Sequence, residues 1–440
     1  MPPTRQDIVE TEIPVGQLAI GMHVVRLDRP WEETNFLLQG FIIQDEDDLL
    51  AVQSQCENVV VEGRVEVNAT FGKAPVSSGK KQSASGPTTL SDLPKNRVTY
   101  INKVDVNREL KKARAHYGSA KATAQNIMEG IRLGRMLDMN EIRQTVDETV
   151  DSVLRNENAL LLLSKIKNKD DYTAEHCINV SILSAAFGKH LGLLEDEIRV
   201  LSLSGMLHDV GKMRIDDAIL NKPGALTPDE FNIMKDHTTF GRDVLAGLPT
   251  LEHAAVDVAF SHHERIDGKG YPRGLPSHQI PLFAKMIGLV DTYDAITSSR
   301  VYDKGRASMQ ALQNIHRNKG TQFDAELAVE FIRMIGVYPP GSIVVMGNGE
   351  VGIVVSNERH SKLKPAVLLI RDELKHELAE YRQINLSDDP KDADGQPYKI
   401  AHEVPDGTFD IVMSDFIERG FLSTKSNRKL SASDDSHGES

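Results

Sequence analysis

Cysteine is nearly missing from this chain of 440 residues: Cys56 and Cys177 stand far apart and in no paired spacing. That excludes a disulfide framework and a cysteine-built zinc finger. Long apolar runs are missing too. "ALLLLSKI" and "FAKMIGLV" fall well short of the roughly 20 residues that cross a bilayer, so no membrane insertion is expected. The start, "MPPTRQDIVETEIP", carries acids and no apolar core of a secretory signal. Positive charge is also in deficit, with 51 Lys and Arg against 64 Asp and Glu, a net charge of −13. A general nucleic-acid binder would show a basic surface, so no DNA partner is expected. An acidic chain still binds an anion where metal ions, a lysine or an arginine make the local charge positive. Together these features fit the cytoplasm.

What is present is a soluble globular composition, 40% hydrophobic and 26% charged, in a chain long enough for two or three domains. Residues 1–71 read as a small β-containing domain, from the runs "MHVVRL", "FLLQGFIIQ", "LLAVQ" and "NVVVEGRVEV". Residues 72–98, rich in Gly, Ser, Lys and Pro, read as a flexible linker. A helical connector is expected over 99–144. Its Val106, Leu110, Ala113, Tyr117, Ala120, Ala124, Ile127 and Ile131 recur at spacings of four and three. That seam fits an inter-subunit coiled coil in a homodimer or one helix packed on a bundle, and its several alanines favour the second. A further helix carries Ile142, Val146, Val150 and Leu154 on one face. From about 156 to 335 the chain reads as helix after helix. Thr227, Pro228 and Glu230 form a capping-box start, and Pro281 opens another helix. Over 341–419 an Asn-Gly turn between two β runs predicts a hairpin, and 420–440 reads as a disordered tail.

The histidines and aspartates of the helical region fall at regular intervals. "YTAEHCINVS" supplies His176, "LHDVGK" His208 and Asp209, "MKDHTTFG" His237, "FSHHERIDGKGYP" His262 and His263, and "LVDTYDAITSSR" Asp291. Each group lies on or at the end of its own expected helix, about one helix and one turn from the next, so successive bundle helices can aim ligands at one interior point. Imidazole and carboxylate suit divalent Fe, Mn, Zn, Co or Ni. Six or seven such ligands exceed the needs of one ion, and two divalent metal ions become plausible if Asp209 bridges them. Two ions roughly 3.5–4 Å apart can activate a water and hold both oxygens of an in-line phosphoryl displacement. Isolated histidines such as His190, His253 and His278 read instead as surface or packing residues. Lys212, one turn past the pair, suits a substrate phosphate or a leaving oxygen gaining charge. Gly268, Gly270, Tyr271 and Pro272 form a tight loop in which glycine permits close backbone approach and Tyr271 offers a stacking face. Arg300 could present its fork to a phosphate.

"HD" at 208–209, "HHE" at 262–264 and "GYP" at 270–272, with "DAILNKPGALTPDEF" and "DTYDAITSSRVY", resemble the HD-GYP domain, a variant of the HD metal-dependent phosphohydrolases. The match covers about residues 145–340. The stretch "IPVGQLAIGMHVVRLDRPWEETNFLLQGFII" is similar to a small domain of unknown function often joined to bacterial HD-GYP domains. The resemblance implies a mainly α fold: an HD-type helical bundle with a small β-containing N-terminal domain and a short β segment after the bundle. It implies a phosphodiesterase hydrolysing the bacterial second messenger cyclic di-GMP to linear pGpG or GMP. By the same likeness His176, His208, Asp209, His237, His262, His263 and Asp291 match metal ligands for Fe, Mn or similar ions. Lys212 matches the lysine at the scissile phosphate, Gly270 and Tyr271 the signature loop, and Arg300 a phosphate contact, with Asp209 and Lys212 carrying the chemistry. Tyr172 stands where members resembling a three-metal form carry glutamate, which favours two ions. Asp303 replaces a basic residue that often helps hold phosphate, with Lys304 adjacent. Partners implied beyond the substrate are a diguanylate cyclase or another signalling protein. The competing readings are hydrolysis of cyclic GMP-AMP and a non-catalytic receptor for the nucleotide or a partner.

Overall fold

The computed structural model describes residues 8–28, 41–43, 46–64, 89–90, 97–165, 172–298, 307–358 and 361–418. The chain divides into two units, 1–84 with 359–363, and the remainder. Arg300, Asp303, Lys304, most of the expected linker and the expected tail 420–440 lie outside the described residues.

The first unit holds β1 (Ile8–Pro14), β2 (His23–Leu27), β3 (Phe41–Ile42), α1 (Glu46–Gln55) and β4 (Asn58–Arg64). Its antiparallel sheet has the order β1-β4-β2-β3, with Ile8 opposite Arg64 and Pro14 opposite Asn58. Leu18, Val24, Ile43, Val52, Cys56 and Val59 form its core. "LLAVQ", expected as a strand, is the middle of α1. A five-residue apolar run carries no period of its own and fits a helix as readily as a strand.

The second unit is helical from α2 (Val106–Arg132) through α3 (Met139–Leu163), α4 (Tyr172–Leu191), α5 (Glu195–Leu207), α6 (Asp217–Leu220), α7 (Pro228–Lys235), α8 (His237–Ala246), α9 (His253–Ser261), α10 (Leu282–Ser298), α11 (Ala307–Arg317) and α12 (Ala325–Ile335). The α2 seam is buried, Tyr117 partly so, and packs on α3 and α4 within the chain. Tyr117 donates to Asn179 at 3.0 Å and Lys121 pairs with Glu175 at 2.7 Å, so α2 grips the helix that carries His176. Helix α4 is buried along most of its length and forms the centre of the bundle. The capping box at Thr227 and Glu230 is present as expected, while Pro281 precedes rather than opens α10.

After the bundle, where the Asn-Gly turn predicts a hairpin, the chain builds more. Strands β5 (Ile343–Met346) and β6 (Val351–Glu358) pair across the Asn348-Gly349 turn, with Ile343 opposite Ile353. With β7 (Ser361–Arg371), β8 (Glu377–Asn385) and β9 (Ile400–Val404) they make an antiparallel sheet of order β8-β7-β6-β5-β9, followed by α13 (Met413–Glu418). Strand β8 carries no two-residue apolar alternation in its sequence, since Leu378, Tyr381 and Ile384 fall three apart. Asn357 on β6 ties the sheet to the bundle: its N–H reaches Asn158 Oδ1 at 3.3 Å and its amide donates to the carbonyl of Tyr338.

Candidate metal centre

Seven of the residues expected to bind metal converge in the bundle. His176 comes from α4, His208 and Asp209 from the end of α5, His237 from the first residue of α8, His262 and His263 from the end of α9, and Asp291 from α10. Their ligating atoms form two sets, each within 4.8 Å: Asp209, His237, His262 and His263, and His176, His208 and Asp291. Asp209 joins them. Its Oδ1 lies 3.4 Å from His237 Nε2 and 3.7 Å from His262 Nε2. Its Oδ2 lies 3.3 Å from His208 Nε2 and 3.6 Å from His176 Nε2. Asp291 Oδ1 closes the second set, 3.0 Å from His176 Nε2 and 3.8 Å from His208 Nε2.

The ring nitrogens explain the arrangement. His208 Nδ1 donates to the Gly205 carbonyl at 2.7 Å, His237 Nδ1 to Met234 at 2.7 Å, and His262 Nδ1 to Val258 at 3.1 Å. His176 Nδ1 donates to Asp294 Oδ2 at 2.8 Å. A proton held on Nδ1 leaves the Nε2 lone pair free, so four imidazoles turn an electron pair toward the same interior point. The pattern ties the local helix geometry to chemistry: a histidine at a helix end reaches the carbonyl three or four residues back.

Two atoms test whether a cation fits. His208 Nε2 and Asp209 Oδ1 are buried and make no hydrogen bond to the described residues. A buried polar atom left so costs about 1–3 kcal/mol, and a cation on these lone pairs removes that cost. The electrostatics agree. Burial lowers the His237, His262 and His263 pKa values, the last to about 3, which keeps neutral rings with available lone pairs. Burial also opposes charge on His208, but Asp209 and Asp291 outweigh it and raise its pKa to about 10. Positive charge is thus drawn to the side of the site that faces both carboxylates. Neutral imidazoles and carboxylate oxygens together suit a borderline divalent ion.

Close backbone contact fixes these positions. A Cβ on Gly211 would stand 1.9 Å from the His237 carbonyl oxygen and 2.4 Å from Gly241 N, so only glycine lets the turn after Asp209 lie against α8. Gly270 has the same role in the signature loop, where a Cβ would come within 2.6 Å of His263 O and 2.3 Å of Arg265 N. The space left by the missing side chain is filled by the protein's own backbone.

Of the residues expected at the substrate, Lys212 donates to Asp209 Oδ2 at 2.5 Å and keeps about a quarter of its side chain exposed. Asp209 and Asp291 raise its pKa against the effect of burial. Tyr271 stacks on His263, with centroids 4.7 Å apart and planes at 29°. Beside them lies a cleft of about 290 Å³ lined by His262, His263, Tyr271, Phe231, Lys285 and Gln322 among others.

Two residues were not singled out in the sequence. Asp294 holds His176 and is itself held by Ser298 at 3.0 Å. Its signal was present in "DTYDAITS", three residues after Asp291 and therefore on the same helix face. Glu264, the acid of "HHE", accepts the N–H groups of Arg273 at 2.8 Å and Leu275 at 2.9 Å, clamping the loop that carries Tyr271.

The chain matches the HD domain over residues 155–327 and a domain of unknown function, DUF3391, over residues 10–142. It is 36% identical over 357 residues to a cyclic di-GMP phosphodiesterase of Pseudomonas aeruginosa, covering 81% of this chain and 84% of that protein. The chain belongs to the HD-GYP family. A cyclic di-GMP phosphodiesterase response regulator of Xanthomonas campestris is 34% identical over 200 residues, with 45% of this chain and 50% of that one covered. A 3'3'-cGAMP-specific phosphodiesterase of Vibrio cholerae is 34% identical over 161 residues, 37% of each chain. Among solved structures, an HDG"Y"P protein from Bdellovibrio bacteriovorus aligns over 73% of this chain and 98% of that chain, at TM-score 0.44 and 15% identity. The HD domain implies divalent metal binding, and the two ligand sets place a candidate for it in this HD-GYP chain. No helix of the described residues is long and apolar enough to cross a membrane.

Proposed function

We propose that this HD-GYP protein is a two-metal phosphodiesterase that hydrolyses cyclic di-GMP to linear pGpG, to GMP, or to both, in bacterial second-messenger signalling. The observation that carries the reading is Asp209, whose two carboxylate oxygens face two separate ligand sets. Asp209 Oδ1 with His237, His262 and His263 would hold one ion, and Oδ2 with His176, His208 and Asp291 the other. The all-nitrogen-and-oxygen donor set favours Fe, Mn or a similar ion. Such ions supply a nucleophilic water near neutral pH and neutralise charge on a phosphate.

The protein's own residues do the rest. Asp294 and the backbone carbonyls orient the imidazoles, so the ligand geometry exists before substrate arrives. Lys212, charged beside Asp209, would contact the scissile phosphate and stabilise the leaving ribose oxygen as it gains negative charge. Tyr271 presents a ring to a base. Gly270 keeps the signature loop pressed on residues 263–265, and Glu264 holds its far side. Arg300 is assigned a phosphate contact through its planar fork. A cytoplasmic location is supported by the acidic composition and by the scarcity of cysteine, two residues far apart in sequence.

The test is anaerobic purification, metal analysis, and chromatography of the products formed from cyclic di-GMP and from cyclic GMP-AMP. Turnover of cyclic di-GMP by metal-loaded protein is expected. Stoichiometric metal with no turnover of either dinucleotide would favour a receptor, and turnover of cyclic GMP-AMP alone would reassign the substrate.

A further inference from the structure

Beside the candidate metal centre, Tyr271 presents one ring to a base. Helix α7 offers a second ring. None of its eight residues is fully buried, and Phe231 leaves 46% of its surface exposed. Core packing therefore does not account for a phenylalanine at this position. Its location does point to a ligand. Phe231 lines the 290 Å³ cleft beside His262, His263 and Tyr271, with its ring 6.3 Å from Tyr271 at 80°. Lys235 brings an ammonium 5.4 Å from the Phe231 centroid and 6.0 Å from that of Tyr271. The helix is also fixed in place. Thr227 and Glu230 cap it reciprocally, and Lys222 holds Glu230 at 2.6 and 2.8 Å. An exposed ring on a fixed helix, at the edge of a polar cleft and next to a cation, is how proteins hold a nucleobase of a single-stranded or free nucleotide.

The cleft volume bears on how much of the ligand enters. At about 290 Å³ it lies at the lower limit of small-molecule sites, roughly 300–1,000 Å³. A cleft of that size has room for one nucleotide unit beside the metal centre. We infer that Phe231 is a stacking residue for one purine of the substrate, whose nucleotide half occupies this cleft while its phosphate lies at the metal centre. The inference rests on the cyclic-dinucleotide reading above. Stacking is tolerant of base identity because every base has a π face, so Phe231 sets affinity for a purine and does not choose guanine over adenine.

The test compares Phe231→Ala, Phe231→Leu and Phe231→Trp in metal-loaded full-length protein, with cyclic di-GMP as substrate. Phe231→Ala is expected to raise KM by about tenfold, with kcat changed less than about twofold and metal content equal to wild type. Phe231→Leu keeps apolar bulk without a ring face and should stay near the alanine value, whereas Phe231→Trp should restore the wild-type KM. An unmoved KM in Phe231→Ala overturns the inference, as does full rescue by leucine or a fall in kcat with lost metal. Bis(p-nitrophenyl) phosphate, which has no purine, separates the two levels. Wild-type protein that hydrolyses it but neither cyclic dinucleotide refutes the functional reading, while wild-type turnover of cyclic di-GMP with no change in Phe231→Ala refutes only the stacking role.

Discussion

Adding one methyl group at Gly211 should disable the metal centre without touching a ligand. The Cβ of Gly211→Ala would lie 1.9 Å from the carbonyl oxygen of His237, where an ordinary contact needs about 3.4 Å. The second obstacle is backbone too, Gly241 N at 2.4 Å and its Cα at 2.9 Å. No side chain can rotate away, so α8 and the turn after Asp209 must part by about 1.5 Å. His237 is the first residue of α8 and Asp209 begins the turn, hence their separation opens by a comparable amount. Metal–ligand distances tolerate about 0.2 Å, and a misplacement of about 1 Å at an active site costs on the order of 100-fold in rate. The strain itself should destabilise the fold by about 1–3 kcal/mol. Metal content per chain, cyclic di-GMP turnover and urea unfolding measure the three consequences on one preparation. Gly118→Ala on α2 is the control, since nothing lies within 4 Å of its added Cβ; it should stabilise by about 0.5–1 kcal/mol and keep full metal. Wild-type metal content and turnover in Gly211→Ala would show that the centre does not depend on this close approach.

Asp294→Ala removes the acceptor of His176 Nδ1 and should weaken metal binding about 10–100-fold, read by chelator competition, with circular dichroism unchanged. Glu264→Ala strips two backbone N–H groups of their carboxylate and should cost roughly 2 kcal/mol in urea unfolding, with faster proteolysis between residues 265 and 276. Metal-stripped protein should be most stable near pH 6.5. Below it, the unfolded chain takes up protons that His237, His262 and His263 refuse in the folded state, the last until about pH 3, so stability falls with acid. Above it, His208 keeps a proton up to about pH 10 that the unfolded chain has lost, so stability falls with base. Urea midpoints from pH 5 to 9 check both limbs, and a monotonic profile would contradict them.

The convergence of the candidate ligands was legible because its signal is periodic: His176, His208, Asp209, His237, His262, His263 and Asp291 recur at helix-sized intervals, and a bundle turns that spacing into proximity. Asp209 as the link between two sets was also expected, since a carboxylate beside a ligating histidine has two oxygens to share. The orienting residues were not legible. Asp294 matters through a single ring nitrogen, and which way an imidazole turns is set by packing in three dimensions. Glu264 sat inside a quoted motif yet acts on backbone donors nine and eleven residues ahead, a distance set by the loop's path. The capping box at Thr227 was readable because it is wholly local. "LLAVQ" was misread because a short apolar run fits a strand and a helix alike, and β8 was missed because an edge strand with irregular burial has no period.

The two-metal proposal turns on Asp209, whose two oxygens would serve two ions at once. Metal mass spectrometry on wild-type and Asp209→Ala protein, purified without oxygen and assayed on cyclic di-GMP, tests it directly. Two ions per wild-type chain are expected, with both sites depleted and turnover abolished in the variant. An Asp209→Ala protein that still holds two ions and retains near-normal turnover with added Mn or Fe would contradict the proposal.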